Sequence, residues 1–111
     1  MKYLGNKNPF TGMEILKVNC NEVTLTSDEV TALCPVTGHP DFYTIAITMR
    51  GGHSIESKSL KLYFETLRDK GIFCEDLAGE IKNEVLALVN CEVSVTVSQK
   101  ARGGITIRAV A

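Results

Sequence analysis

A formal net charge of −1 over 111 residues gives no basic excess with which to coat nucleic acid or a membrane surface. The length suits one domain over residues 1–111, able to bury about 65% of the surface its unfolded chain exposes. The longest apolar runs are a few residues, too short to span a bilayer, and the first residues lack the apolar core of a signal peptide. A cytoplasmic location is expected. Cys20, Cys34, Cys74 and Cys91 are widely spaced without a CxxC pair, so they read as free thiols.

Residues 1–12 contain Gly5, Asn6, Asn8, Pro9 and Gly12 and read as an irregular lead-in. Residues 13–20 are strand-like. Residues 21–40 show no clear repeat and read as a long connection, with a turn of helix over 27–32 capped by Thr26 or Ser27. Within it, Cys34-Pro35-Val36-Thr37-Gly38-His39-Pro40-Asp41 carries a thiol and a carboxylate on a stretch stiffened by two prolines and turned by a glycine. Such a loop can bring a nucleophile and a proton carrier together.

Residues 42–49 predict a strand rich in Tyr, Ile and Thr, ended by Gly51-Gly52. A helix over 57–70 follows, with Leu60, Tyr63, Phe64 and Leu67 in one arc and Gly71 as its stop. A second helix over 75–89 places Leu77, Ala78, Ile81, Val85, Leu88 and Val89 on an apolar face, with Glu75 and Asp76 at its positive end. Val93, Val95 and Val97 then alternate with Ser94, Thr96 and Ser98. Gly103-Gly104 marks a turn before Ile105, Ile107 and Ala109. The order strand, strand, helix, helix, strand, strand predicts an α+β fold, an antiparallel sheet with two helices on one face. Long edge strands with few charges predict pairing between copies.

Two segments carry a family resemblance. Cys34 to Phe42, followed by Glu56-Ser57-Lys58-Ser59-Leu60-Lys61-Leu62-Tyr63, resembles the NADPH-dependent 7-cyano-7-deazaguanine reductases of queuosine biosynthesis. The likeness continues through Glu75-Asp76 and Arg102-Gly103-Gly104-Ile105. It implies a tunnelling fold whose subunits join into a barrel, with sites at subunit interfaces. It also implies reduction of a nitrile to a primary amine with two NADPH. By resemblance, Cys34 adds to the nitrile carbon to form a thioimide, Asp41 protonates the nitrogen, and Glu75 anchors the deazaguanine ring. Cys74, Glu56 and Ser57 are expected around the substrate. Lys58, Ser59, Lys61 and Arg102 are expected on the cofactor phosphates; the two lysines fall within about 60° of each other on a helix.

One position departs from the pattern. The family has histidine immediately before the anchoring glutamate, and here Cys74 stands there, a thiol that does not shuttle protons near neutrality as imidazole does. A shorter relative, archaeosine synthase of the amidinotransferase type, admits ammonia to the same thioimide and needs no NADPH, which makes it the alternative. A non-catalytic ring that binds a purine-like ligand is a third reading. A reversible Cys34–Cys74 disulfide is expected if the two thiols lie close. His39 and His53 lack metal-ligand spacing, so no metal is expected.

Overall fold

The computed structural model describes residues 8–111, so most of the expected lead-in lies outside the described residues. The elements are β1 (Ile15–Lys17), β2 (Glu22–Leu33), β3 (Pro40–Arg50), β4 (His53–Ile55), α1 (Ser57–Glu65), α2 (Cys74–Leu86), β5 (Glu92–Arg102) and β6 (Ile105–Val110). Four strands form one antiparallel sheet in the order β2-β3-β5-β6, and β1 pairs with β4 in a separate short ribbon. The fold is α+β, as the alternation of apolar residues predicts.

The alternation of side chains along each strand sorts the sheet into two faces. Tyr43, Ile45, Ile47 and Met49 of β3 and Val93, Val95 and Val97 of β5 point to one face and are buried. Both helices cover that face, α1 against β2 and α2 against β5 and β6. Leu60, Tyr63 and Phe64 from α1, and Leu77, Ile81 and Val85 from α2, complete the core. The other face is small and polar at its centre, where Thr24 and Thr48 face each other across β2 and β3 with their hydroxyls 3.0 Å apart, and carries the exposed Phe42 and Val110 as well. Beyond β3 the chain turns at Gly51, where a Cβ would stand 2.8 Å from Cys91 Cβ.

Two expectations about the strands are corrected. The connection over 21–40 is mostly β2, a strand of 12 residues. Its apolar alternation was hidden because Val23 and Leu25 face the core from odd positions while Val30 and Ala32 do so from even ones, with polar residues between. The register against β3 jumps there: Ser27 pairs with Ile45 and Val30 with Tyr43, so β2 holds one extra residue. Conversely, the strand expected over 13–20 shrinks to β1, which lies outside the main sheet and leaves Ile15 and Leu16 exposed.

The helices are also shorter than expected. In α1 the Glu56 carboxylate caps the N–H groups of Lys58 and Ser59 at 2.7 and 2.8 Å. The regular helix ends at Glu65 because the N–H groups of Thr66 and Leu67 turn to the carbonyls of Tyr63 and Phe64, tightening the last turn. α2 likewise ends at Leu86, before Val89.

Ile47 is fully buried at the centre of the sheet, whereas Thr48 faces away from the helices. Ile47→Ala should cost about 2–5 kcal/mol in urea unfolding. Thr48→Ala should cost about 1 kcal/mol or less.

Candidate active site

The β2–β3 hairpin carries the thiol and the carboxylate. Leu33 and Pro40 are its last paired residues, and the Cys34 N–H donates to His39 O at 2.8 Å. Gly38 closes the loop, its N–H donating to Cys34 O at 2.8 Å with φ +73°, a conformation suited to glycine. The extra residue in β2 shifts the core-facing positions to Val30 and Ala32, and Cys34 follows in that sequence. Asp41 pairs directly with Ala32 and is 4% exposed on the core side. Cys34 and Asp41 are therefore neighbours on the helix-covered side of one hairpin.

The Cys34 thiol is held below the ordinary cysteine range, mainly by the Thr37 hydroxyl and then by the backbone N–H groups of Thr37 and Val36. The nearby Asp41 charge works weakly in the other direction.

The start of α2 is tied to this hairpin by backbone bonds. Leu33 N–H donates to Lys70 O at 2.8 Å and Ile72 N–H to Leu33 O at 3.0 Å, forming a parallel bridge at Gly71. Three residues after Gly71, α2 opens with Cys74, followed by the exposed Glu75. Cys74 is buried and its S–H donates to Val97 O at 3.6 Å. Burial, then the Glu75 charge, pushes that thiol up and keeps it protonated. All four cysteines are free, and the expected Cys34–Cys74 disulfide is not formed.

A second extra residue brings in Arg102. Gln99 pairs with Ile107 and Arg102 with Ile105, three steps along β5 against two along β6. Arg102 thereby joins the Gln99 side of the sheet, and its Nη1 donates to Asp41 Oδ1.

Sequence reasoning missed Tyr43, reading it only as a strand aromatic. It stands two residues after Asp41, hence on the same face, and its hydroxyl is buried without a partner among the described residues. Burial raises its pKa, with the charges of Asp41 and Cys74 adding to the effect.

The remaining expected site residues lie elsewhere. Ser57 and Lys61 line a groove of about 500 Å³ between α1 and the free edge of β2, together with Leu25, Val30, Phe64, Glu65 and Arg68. None of Cys34, Asp41, Cys74, Glu75 or Arg102 lines it. Lys58 is exposed nearby on α1. Glu56 uses both carboxylate oxygens as the helix cap. Ser59 is buried, its hydroxyl accepting from Glu14 N–H and donating to Glu56 O, both at 2.9 Å. Those two side chains order the start of α1. Of the expected residues, Cys34, Asp41, Cys74 and Arg102 gather at the hairpin and Ser57 and Lys61 line the α1 groove, whereas Glu56 and Ser59 are used at the helix start.

Comparison with known proteins shows the family and the fold of this chain. The family model described as QueF-like protein matches residues 40–111. The chain belongs to the QueF-like family. It is 49% identical over 90 residues to the NADPH-dependent 7-cyano-7-deazaguanine reductase of Frankia casuarinae, covering 79% of this chain and 72% of that one. The namesake enzyme of Chlorobium chlorochromatii is 41% identical over 86 residues, covering 76% and 74%. A solved structure of the archaeosine synthase QueF-Like in its apo form superposes with a TM-score of 0.77 at 24% identity, over 84% of this chain and 93% of that one. That likeness identifies the fold as the QueF-like tunnelling fold.

In this family member the two thiols near the hairpin should behave oppositely. Cys34 should react with iodoacetamide in native protein, with its half-maximal rate below the pH of an ordinary thiol. Thr37→Val removes the main stabiliser of the thiolate and should move that midpoint upward. Cys74 should be labelled only after unfolding.

Proposed function

We propose that this protein is a nitrile reductase that converts 7-cyano-7-deazaguanine to its 7-aminomethyl form at the expense of two NADPH. The observation that carries the reading is the placement of Cys34 and Asp41 on one side of the β2–β3 hairpin, next to the start of α2. Curated relatives at 49% and 41% identity bear that activity in their names. Cys34 adds to the nitrile carbon and Asp41 handles the proton that reaches the nitrogen. A nitrile is a weak electrophile, and the bond to sulfur turns it into an imine-like carbon that can accept hydride. Glu75, exposed in the first turn of α2, accepts hydrogen bonds from the guanine-like edge of the ring. An adenine-like edge lacks that pair of donors and is rejected. Four free cysteines suit a reducing cytoplasm, where we place the enzyme.

The α1 groove fits a dinucleotide by its side chains. Lys61 and Arg68 line it, with Lys58 nearby, and offer cations to phosphate. Glu65 Oε2 is buried without a partner among the described residues and offers an acceptor to a hydroxyl or amide. Lys58, Lys61 and Ser57 would hold the phosphates, and NADPH when bound supplies the hydride. The hairpin cluster and this groove do not share a wall in one chain. We therefore place the complete site between two copies, in a ring closed through the free edges of β2 and β6.

The amidine-forming alternative is favoured by one feature, the buried and protonated Cys74 where the reductases carry histidine. Stoichiometry separates the two. The reductase reading predicts two NADPH oxidised per nitrile consumed, with Cys34→Ala inactive and Asp41→Asn slowed by about 10²–10⁴-fold. Incorporation of ammonia without NADPH would overturn it.

Mixing inactive Cys34→Ala with inactive Lys58→Ala/Lys61→Ala should restore turnover if the site spans two copies. No restoration after subunit exchange would place the site within one chain.

A further inference from the structure

We propose that Arg102 is the positioning residue for Asp41, holding its carboxyl group beside Cys34, so that its role in the reaction precedes any contact with cofactor. The proposal rests on the nitrile-addition reading above. Its basis is the contact itself: Arg102 Nη1 donates to Asp41 Oδ1, although Arg102 sits at the turn end of β5 and Asp41 at the start of β3. The extra residue in β5 puts the guanidinium on this side. Without it, Arg102 would point from the opposite face, away from Asp41.

The chemistry of the first step explains the arrangement. When Cys34 adds to a nitrile, the Sγ–C bond forms, one π bond of C≡N opens, and the nitrogen gains a proton. The thiol proton is the one that must move, and a carboxylate beside both atoms takes it from sulfur and delivers it to nitrogen. Nothing else is consumed. Asp41 is 4% exposed, and the hydration its side chain loses on burial is offset by the ion pair with Arg102. Arg102 occupies one oxygen and leaves Oδ2 for the reacting atoms. The same contact holds the Arg102 guanidinium more firmly protonated than usual. The other titratable groups acting nearby, Cys34, Tyr43 and Cys74, supply no positive charge.

A phosphate contact and a positioning contact can be separated because the addition step needs no cofactor. The experiment follows the covalent adduct by intact mass, with protein and 7-cyano-7-deazaguanine alone. Arg102→Gln should form it at least about tenfold more slowly than wild type, and Arg102→Lys, which keeps the charge, should recover most of the rate. In an Asp41→Asn background, Arg102→Gln should change the rate by less than about twofold, because the partner is gone. The melting temperature is recorded alongside. If Arg102→Gln alone does not fold, the double variant, which carries no buried carboxylate at this position, is compared with Asp41→Asn.

Wild-type adduct rates in Arg102→Gln, with only NADPH-dependent turnover lost, would make Arg102 a phosphate contact and overturn the proposal. So would a further slowing in the double variant. Absence of any adduct in wild type would instead remove the nitrile-addition reading, and this proposal with it.

Discussion

A β-strand shows its side chains alternately to two faces, so a single inserted residue reverses every assignment beyond it. This sheet contains two such insertions, one in β2 between Ser27 and Val30 and one in β5 between Gln99 and Arg102. Both are directed at the same end of the sheet. The first puts Ala32 opposite Asp41 and brings Cys34 to the core side; the second turns Arg102 toward the same carboxylate. Remove either, and the thiol or the cation falls on the face away from the helices. The grouping of chemistry at the hairpin is a consequence of register.

The energetics of that end differ from the rest of the sheet. Most of the helix-covered face is aliphatic, with residues such as Ile45, Ile47, Val95 and Val97 fully buried. Each contributes roughly 1.5–3 kcal/mol by leaving water. At the hairpin the same face buries a carboxylate, a tyrosine hydroxyl without a partner among the described residues and a thiol bonded to a carbonyl. These groups weaken the local fold and are tolerated because Arg102 neutralises Asp41 and the bridge at Gly71 ties α2 to Leu33. By contrast, the ion pairs of Arg50 with Glu22 and Glu92 are half-exposed and add little.

Much of this was legible in the sequence where pattern and structure share a period. Val93, Val95 and Val97 announced β5, and Leu77, Ile81 and Val85 announced α2. β2 was not legible because its insertion puts the apolar residues out of phase, so a strand of 12 residues looked like a connection. The helix ends were overdrawn because propensity does not reveal where a last turn tightens. The Cys34–Asp41 pairing could be read from the loop's prolines and glycine, but the side on which Arg102 lies could not. Glu56 and Ser59 show a different limit: a motif identifies residues that matter without saying whether they touch a ligand or order a helix.

The most direct test is a crystal structure of the protein soaked with 7-cyano-7-deazaguanine. Continuous density is expected from Cys34 Sγ to the former nitrile carbon, with an Asp41 oxygen within hydrogen-bond distance of the nitrogen and Glu75 on the ring edge. A nitrile bound elsewhere with Cys34 unmodified, or an adduct whose nitrogen points away from Asp41, would contradict this expectation.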